Sequence, residues 1–341
     1  MESSVTVGID THKDVNVAIA LGAQGNVLGT RAVPTSPAGH AELLAWARGF
    51  GPLDKIGIEG TGSYGVGLTR FLRSAGCVVL EVERPQRHRP GAAKTDALDA
   101  ERAARAVLAG EARAFPKGSD GVVERLRVLW ITRRSAVKAR TQAANQLHGL
   151  VVTASDSLRD RLRRLSTGHL VAEALRWRVC QLDSVESAAR FAIQSLARRH
   201  QQLDAEVSLL DQQVKRLVEQ IAPELLAVRG VGYETATTLL VAAGDNPDRL
   251  RSEAAFAHLC GVAPIPASSG KTVRHRLNRA GDRQANRALF LIVLVRMYRD
   301  ARTRMYVARR TAEGLSKPEI IRCLKRYVAR ELFQLLVKAR S

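Results

Sequence analysis

The chain has 341 residues and is 45% hydrophobic, enough to bury a core and to make two or three domains. Its 53 lysines and arginines against 33 acidic residues leave a net charge of +20, the balance of a protein that neutralises phosphates. Aromatic residues are only 4% of the chain, which argues against base-stacking platforms as the main binding device.

Residues 5–33 read as three strands, Val5–Asp10, Val15–Leu21 and Val27–Val33, with Ala23-Gln24-Gly25-Asn26 as the hairpin turn between the last two. In the first strand Val5, Val7 and Ile9 fall on one face and Asp10 on the other. A helix around His40–Arg48 comes next. The following strand, Lys55–Glu59, again ends on an acid, just before the turn-like Gly60-Thr61-Gly62-Ser63. A helix around Tyr64–Ser74 and a strand Cys77–Val82 follow. Mixed strands and helices with acids at strand ends fit a ribonuclease H-like α/β fold, with Asp10 on the first strand and Glu59 on the fourth.

The looser, basic stretch Glu83–Gly91 leads to Lys94-Thr95-Asp96-Ala97-Leu98-Asp99-Ala100, which reads as the first turn of a helix capped by Thr95. Asp96 and Asp99 then share one helical face. Asp10, Glu59, Asp96 and Asp99, brought together, repel one another unless cations neutralise them, and such hard oxygen donors suit Mg²⁺ or Mn²⁺. Paired ions of this kind stabilise the oxygens of in-line phosphoryl displacement, so the expected substrate is a phosphodiester.

Residues 120–165 read as helical and basic, and Arg133, Arg134, Lys138 and Arg140 are candidates either for phosphate contact or for a solvated helix face. From 193 to 221, Ile193, Leu196, His200, Leu203, Val207, Leu210, Val214, Leu217 and Ile221 alternate steps of three and four, a coiled-coil seam of about four heptads. A seam between chains implies a homo-oligomer; the same stripe also suits a long helix packed inside its own domain. Leu226–Gly232 then places Gly-x-Gly between two helices, resembling a helix-hairpin-helix whose backbone N–H groups can hold a phosphate. Glycines serve ordinary tight turns as well.

Gly261–Lys271 is a proline-rich loop carrying Ser268, Ser269 and Gly270, followed by Arg274, His275, Arg276, Arg279, Arg283 and Arg287. A serine hydroxyl is a poor nucleophile without an activating base or metal, and locally only His275 is a base. By pattern alone this remains a loop. Cys77, Cys180, Cys260 and Cys323 are far apart with no CxxC pairing, so each reads as a small apolar side chain rather than a zinc ligand or disulfide half. Met1-Glu2-Ser3-Ser4 leads directly into a strand, so no signal peptide is expected. The longest apolar run, Ala288 to Val295, is too short to span a membrane, so a soluble, cytoplasmic protein is expected.

In combination these segments resemble the DEDD-type transposases of the insertion-sequence-110 family, bridge-RNA-guided DNA recombinases. Val7-Gly8-Ile9-Asp10-Thr11-His12-Lys13 is similar to that family's opening strand, Glu59-Gly60-Thr61-Gly62-Ser63-Tyr64 to its glutamate motif, and Lys94–Ala100 to its paired-aspartate motif. Gly261–Gly270, Asn278–Arg283 and Arg287-Ala288-Leu289 resemble its C-terminal transposase domain, except that Gly281-Asp282-Arg283 stands where many relatives carry Gly-Asn. The resemblance covers nearly the whole chain. It implies a RuvC-like domain over 1–165, a helical coiled-coil spacer over 166–224 and a mainly helical transposase domain over 225–341. It further implies metal ions on Asp10, Glu59, Asp96 and Asp99, with Ser269 joining covalently to DNA and Ser268 as the adjacent alternative. Lys94, Lys271, Arg274, Arg276, Arg279, Arg283 and Arg287 would lie against nucleic acid. The implied partners are DNA, a guide RNA and further copies of the chain as a dimer or tetramer, in a nucleoid-associated prokaryotic protein. A Holliday-junction nuclease using water, or a non-catalytic nucleic-acid-binding protein, would share parts of the pattern.

Overall fold

Alternating apolar residues make Val5–Thr11 (β1) the central strand of a mixed sheet. β1 pairs antiparallel with Val15–Leu21 (β2), which pairs antiparallel with Val27–Pro34 (β3). The chain then forms helix Pro37–Arg48 (α1), begun by Ser36 accepting a hydrogen bond from the Gly39 N–H at 3.1 Å, with Pro37 in the first turn. Leu53–Glu59 (β4), Val66–Ser74 (α2) and Val79–Val82 (β5) follow. β4 pairs parallel with β1 and β5 parallel with β4, so the five-stranded sheet has the order β3-β2-β1-β4-β5. The computed structural model describes residues 4–82, 95–118, 120–178, 181–246, 250–267, 275–279 and 281–339.

β1 is buried on both faces. Val5, Val7 and Ile9 join Ile56, Ile58, Leu43, Leu68 and Leu72 in a core under α1 and α2; each such side chain contributes roughly 1.5–3 kcal/mol by leaving water. The opposite face receives Asp96–Leu108 (α3), whose Ala100 and Ala104 pack on Ile19 and Leu21. Gly8 and Gly57, paired across β1 and β4, let α3 come so close. A Cβ on Gly8 would stand 2.1 Å from the Ala100 carbonyl oxygen, and one on Gly57 would stand 2.9 Å from that of Ala103.

The long helix Val122–Val152 (α4) leads to Asp156–Leu162 (α5), Thr167–Leu175 (α6), Val185–Ile221 (α7), Pro223–Ala227 (α8) and Tyr233–Ala243 (α9). Glu253–Leu259 (α10), the two-residue strands Ile265–Pro266 (β6) and His275–Arg276 (β7), and helices Arg283–Arg299 (α11), Ala301–Ala312 (α12) and Lys317–Lys338 (α13) complete the chain. Two compact units result: Met1–Glu124 with Ala242–Ser341, and Arg125–Val241. The sequence-based division at 165 and 224 follows motifs, whereas the packing groups α4 from Arg125 onward with α7.

In the Arg125–Val241 unit, Leu147 and Val151 of α4 share a core with Leu158, Leu162, Leu170, Ile193 and Ala197. Arg133 meets Asp211 at 2.9 Å and Arg140 meets Asp204, so rising numbers on α4 face falling numbers on α7. The two helices are antiparallel neighbours. This alters two expectations. The three-four stripe of α7 is buried at Ile193, Val207 and Val214, and no position of it is fully exposed. The reading as a helix packed inside its own chain therefore holds where Ile193 meets α4, because an apolar stripe of that width matches a neighbouring helix in the same chain as readily as one in another. Of the four basic residues offered to phosphates, Arg133 and Arg140 are engaged by aspartates, while Arg134 and Lys138 remain exposed.

In the other unit Asp245 joins distant segments. Its two carboxylate oxygens accept hydrogen bonds from the Val123 and Glu124 N–H groups, at 2.8 and 2.9 Å, satisfying the otherwise orphaned first turn of α4. The C-terminal helices enclose their own core around Phe256, Leu289, Ile292 and Leu332, with Phe256 and Phe333 rings 6.2 Å apart. Arg326 and Arg330 of α13 both pair with Glu253 of α10. Cys77, Cys260 and Cys323 are free thiols, as their spacing indicates, and burial pushes the Cys260 thiol well above its ordinary range. Among the described residues no helix is long and apolar enough to cross a membrane.

Candidate active site

Asp10, next to last in β1, and Glu59, last in β4, lie at the carboxyl ends of neighbouring parallel strands. Carrying the register Gly8↔Gly57, Ile9↔Ile58 one residue further sets the two acids side by side on the face that α3 covers. Thr11 ties the strand ends together by donating its hydroxyl to the Glu59 carbonyl at 2.8 Å. Gly60, at φ +77°, then turns the chain, and its carbonyl accepts from the Ser63 and Gly65 N–H groups.

Helix α3 delivers the other two acids. Thr95 caps it, accepting from the Leu98 N–H at 3.3 Å, which puts Asp96 and Asp99 in the first turn. There the helix dipole favours negative charge. Because α3 lies directly on Gly8, that first turn comes to the carboxyl end of β1.

His12 joins the strand acid to the helix acid. Its Nε2 lies 3.0 Å from an Asp10 carboxylate oxygen and 3.3 Å from one of Asp96. One donor atom from each of the three residues lies within 4.8 Å of the others. Asp99 accepts a hydrogen bond from Arg102 at 2.7 Å and, with Glu59, lines an adjoining hollow of about 370 Å³ that also holds Arg105 and Glu111. The four sequence-predicted carboxylates thus gather at one end of the sheet as two pairs, Asp10 with Asp96 through His12 and Glu59 with Asp99 along the hollow. The sequence motif contains His12, but its role was not read from it. No local signal marked it, because His12 follows the last residue of β1 and its second partner, Asp96, comes from a distant segment.

Electrostatics mark Asp10. It is only 4% exposed, and burial raises its carboxyl above the ordinary range. His12 partly offsets that by charge and hydrogen bond, while Asp99 and Asp96 push it up further. A buried carboxylate held among like charges is a group that gains from a cation. Carboxylate oxygens suit Mg²⁺ or Mn²⁺, so the donor set fits such an ion; the imidazole suits transition metals better than Mg²⁺.

The C-terminal motifs are only partly in view. Strands β6 and β7 pair antiparallel, Ile265 with Arg276 and Pro266 with His275, and so bracket the serine loop in sequence. Ser268, Ser269, Lys271 and Arg274 lie outside the described residues, as does Lys94. Arg276, Arg279, Arg283 and Arg287 are all exposed. No hydrogen bond or ion pair joins these four arginines to the acidic set among the described residues. Asp282, in the position that departs from the resembled family, caps α11 by accepting from the Gln284 and Ala285 N–H groups at 2.8 and 3.0 Å. Between α8 and α9, the Gly232 N–H that the hairpin reading offers to a phosphate is bound at 3.0 Å by the chain's own Thr235 hydroxyl.

Comparison with known proteins accords with this layout. Residues 7–155 match the family model of IS110-type DEDD transposases, described as a transposase. Residues 222–308 match a second model, described as the transposase IS116/IS110/IS902 family. An insertion element IS110 protein of 43.6 kDa from Streptomyces coelicolor is 26% identical, over 97% of this chain and 94% of its own. An insertion element IS900 protein of 42 kDa from Mycobacterium paratuberculosis is 27% identical over 69% of each chain.

Proposed function

Because the chain belongs to the IS116/IS110/IS902 family of transposases, we propose that it cuts and rejoins DNA strands at an insertion-sequence end. In this reading the sheet domain is RuvC-like and Ser269 is the nucleophile. The observation that carries it is the gathering of Asp10, Asp96, Asp99 and Glu59 at the carboxyl ends of β1 and β4. Ordinary fold stability gives no reason to collect like charges around a buried aspartate.

The acidic set would hold Mg²⁺ or Mn²⁺, which supplies positive charge to a scissile phosphate and its leaving oxygen. The residues themselves orient and hold. Asp10 is fixed by burial in β1, Asp96 and Asp99 by the capped first turn of α3, and Glu59 by the Thr11 bridge. His12 holds the Asp10 and Asp96 carboxylates in mutual reach. Ser269 Oγ attacks phosphorus, a serine–phosphate ester forms, and the released DNA hydroxyl takes the proton. A second DNA hydroxyl then attacks the same phosphorus and frees the serine, so no phosphodiester is hydrolysed on balance. The excess of +20 and the exposed Arg276–Arg287 set support binding to phosphate backbones. In this reading sequence choice falls to a guide RNA by base pairing, with the protein recognising backbone and shape.

A labelled-DNA trap with nicked substrate, run under denaturing conditions, tests the serine step. Wild type should carry DNA with the denatured protein. Ser269→Ala should lose both this adduct and recombination while keeping DNA binding, and Ser268→Ala should be milder. Robust cleavage by Ser269→Ala with no wild-type adduct would establish a water-using nuclease instead.

A further inference from the structure

The cleft among α11, α12 and α13 takes no part in the acidic site. It holds about 1000 Å³, the upper end of the ~300–1,000 Å³ typical of small-ligand pockets. Solvent reaches into it, since Met305 is 73% and Tyr327 52% exposed. Tyr306 and Tyr327 meet edge to face there, ring centroids 5.7 Å apart at 86°, and the Arg309 guanidinium lies 5.5 Å from the Tyr306 ring centroid. An edge-to-face contact covers at most one ring face of the pair, and Tyr327 keeps half its surface.

The charges of the lining are unequal. Its two acids are engaged: Glu331 holds Arg296 at 2.7 and 3.1 Å, and Asp300 accepts from the Thr303 N–H and hydroxyl at the start of α12. Arg302 makes no ion pair among the described residues, and Arg309 reaches Glu313 only at 3.7 Å. Helix α12 contains four arginines and no acid. The cleft therefore joins an available aromatic face to a positive rim.

We infer that this cleft binds unpaired nucleotides of a single-stranded nucleic acid, with Tyr327 stacking on a base and Arg302 and Arg309 meeting its phosphates. A duplex hides its base faces in its own stack, so it would satisfy the arginines but leave the tyrosine idle. An acidic peptide would do the same. The low aromatic content of the chain hid this arrangement, because two of only five tyrosines come from positions 306 and 327 on different helices. The inference rests on the reading that the chain handles nucleic acid, but it concerns residues apart from the cleavage chemistry.

The test is fluorescence anisotropy of the full chain with short labelled oligothymidylate, oligouridylate and a duplex of equal length. Tyr327→Ala should weaken single-strand binding by about tenfold, within the range that stacking on one base supplies. It should leave duplex binding unchanged, and Tyr327→Phe should restore the loss. Arg302→Gln with Arg309→Gln should flatten the single-strand salt slope by about 1.4, since each phosphate contact on a single strand contributes ~0.7. Tighter binding of the thymidylate strand would assign the cleft to DNA, and of the uridylate strand to RNA. Equal losses on duplex and single strand, or no loss in Tyr327→Ala, would overturn the inference. Metal-dependent strand cleavage by the wild type, measured in parallel, tests the catalytic reading separately. Its absence in the wild type would count against the catalytic reading alone.

Discussion

Asp10 is a carboxylate that water scarcely reaches, and its neighbours determine what it does. Its folded-state proton affinity is raised, chiefly by burial and further by Asp99 and Asp96. In the metal-free protein, stability should therefore fall as pH rises from the ordinary carboxylate value of 3.8 through the higher folded value, because only the folded state resists ionisation. Asp10→Asn removes that unfavourable charge with little change of shape. In chelator at neutral pH it should melt at or above the wild-type temperature, yet lose strand cleavage. Adding Mg²⁺ or Mn²⁺ should raise the wild-type melting temperature, with a gain of ~2.7 kcal/mol at a hundredfold excess over Kd, and should leave Asp10→Asn unmoved. Melting curves with and without metal check both halves; an equal metal response in the variant would remove Asp10 from the ligand set.

At the level of elements, the site depends on where α3 sits, and α3 sits where glycine lets it. Gly8→Ala would set a Cβ 2.1 Å from the Ala100 carbonyl. The helix must move, carrying Asp96 and Asp99 with it. Overpacking of this kind costs about 1–3 kcal/mol, and metal-induced stabilisation should disappear although no ligand is changed. Urea unfolding combined with a metal titration measures both. Retained metal response would mean that α3 can shift without disturbing the carboxylates. A second joint is Asp245, which holds the first turn of α4 from more than a hundred residues away in sequence. Asp245→Ala leaves the Val123 and Glu124 N–H groups without their acceptor and should cost about 1–2 kcal/mol. A urea midpoint equal to that of wild type would show that water replaces it.

For the molecule as a whole, charge governs association with nucleic acid. The net +20 includes exposed Arg276, Arg279, Arg283 and Arg287. Replacing these four by glutamine should flatten the slope of log affinity against log salt by about 0.9 for each arginine that meets a duplex phosphate. A titration from low to high salt with a duplex ligand reads the slope directly. An unaltered slope would move the binding surface to other residues, with exposed Arg134 and Lys138 on α4 the next set to neutralise. Arg133 and Arg140 are poorer choices, since each already faces an aspartate of α7.

Local pattern was sufficient for the strands and helices of the sheet domain, because period-two alternation, the Thr95 cap and the acids at strand ends are all encoded within a few neighbouring residues. It also put Asp10, Glu59, Asp96 and Asp99 forward as a set, and the structure brings Asp10 and Asp96 together at His12. Three things came only from the tertiary structure. The glycine pair at 8 and 57 acquires meaning once β1 and β4 lie side by side and α3 crosses them. His12 becomes part of the site only when Asp96 arrives from another segment to share its Nε2. The stripe on α7 was ambiguous by nature, since an apolar helical face states that it will be covered and leaves open by what. At Ile193 the cover is α4 of the same chain, and the pairs Arg133–Asp211 and Arg140–Asp204 show that α4 runs antiparallel along α7.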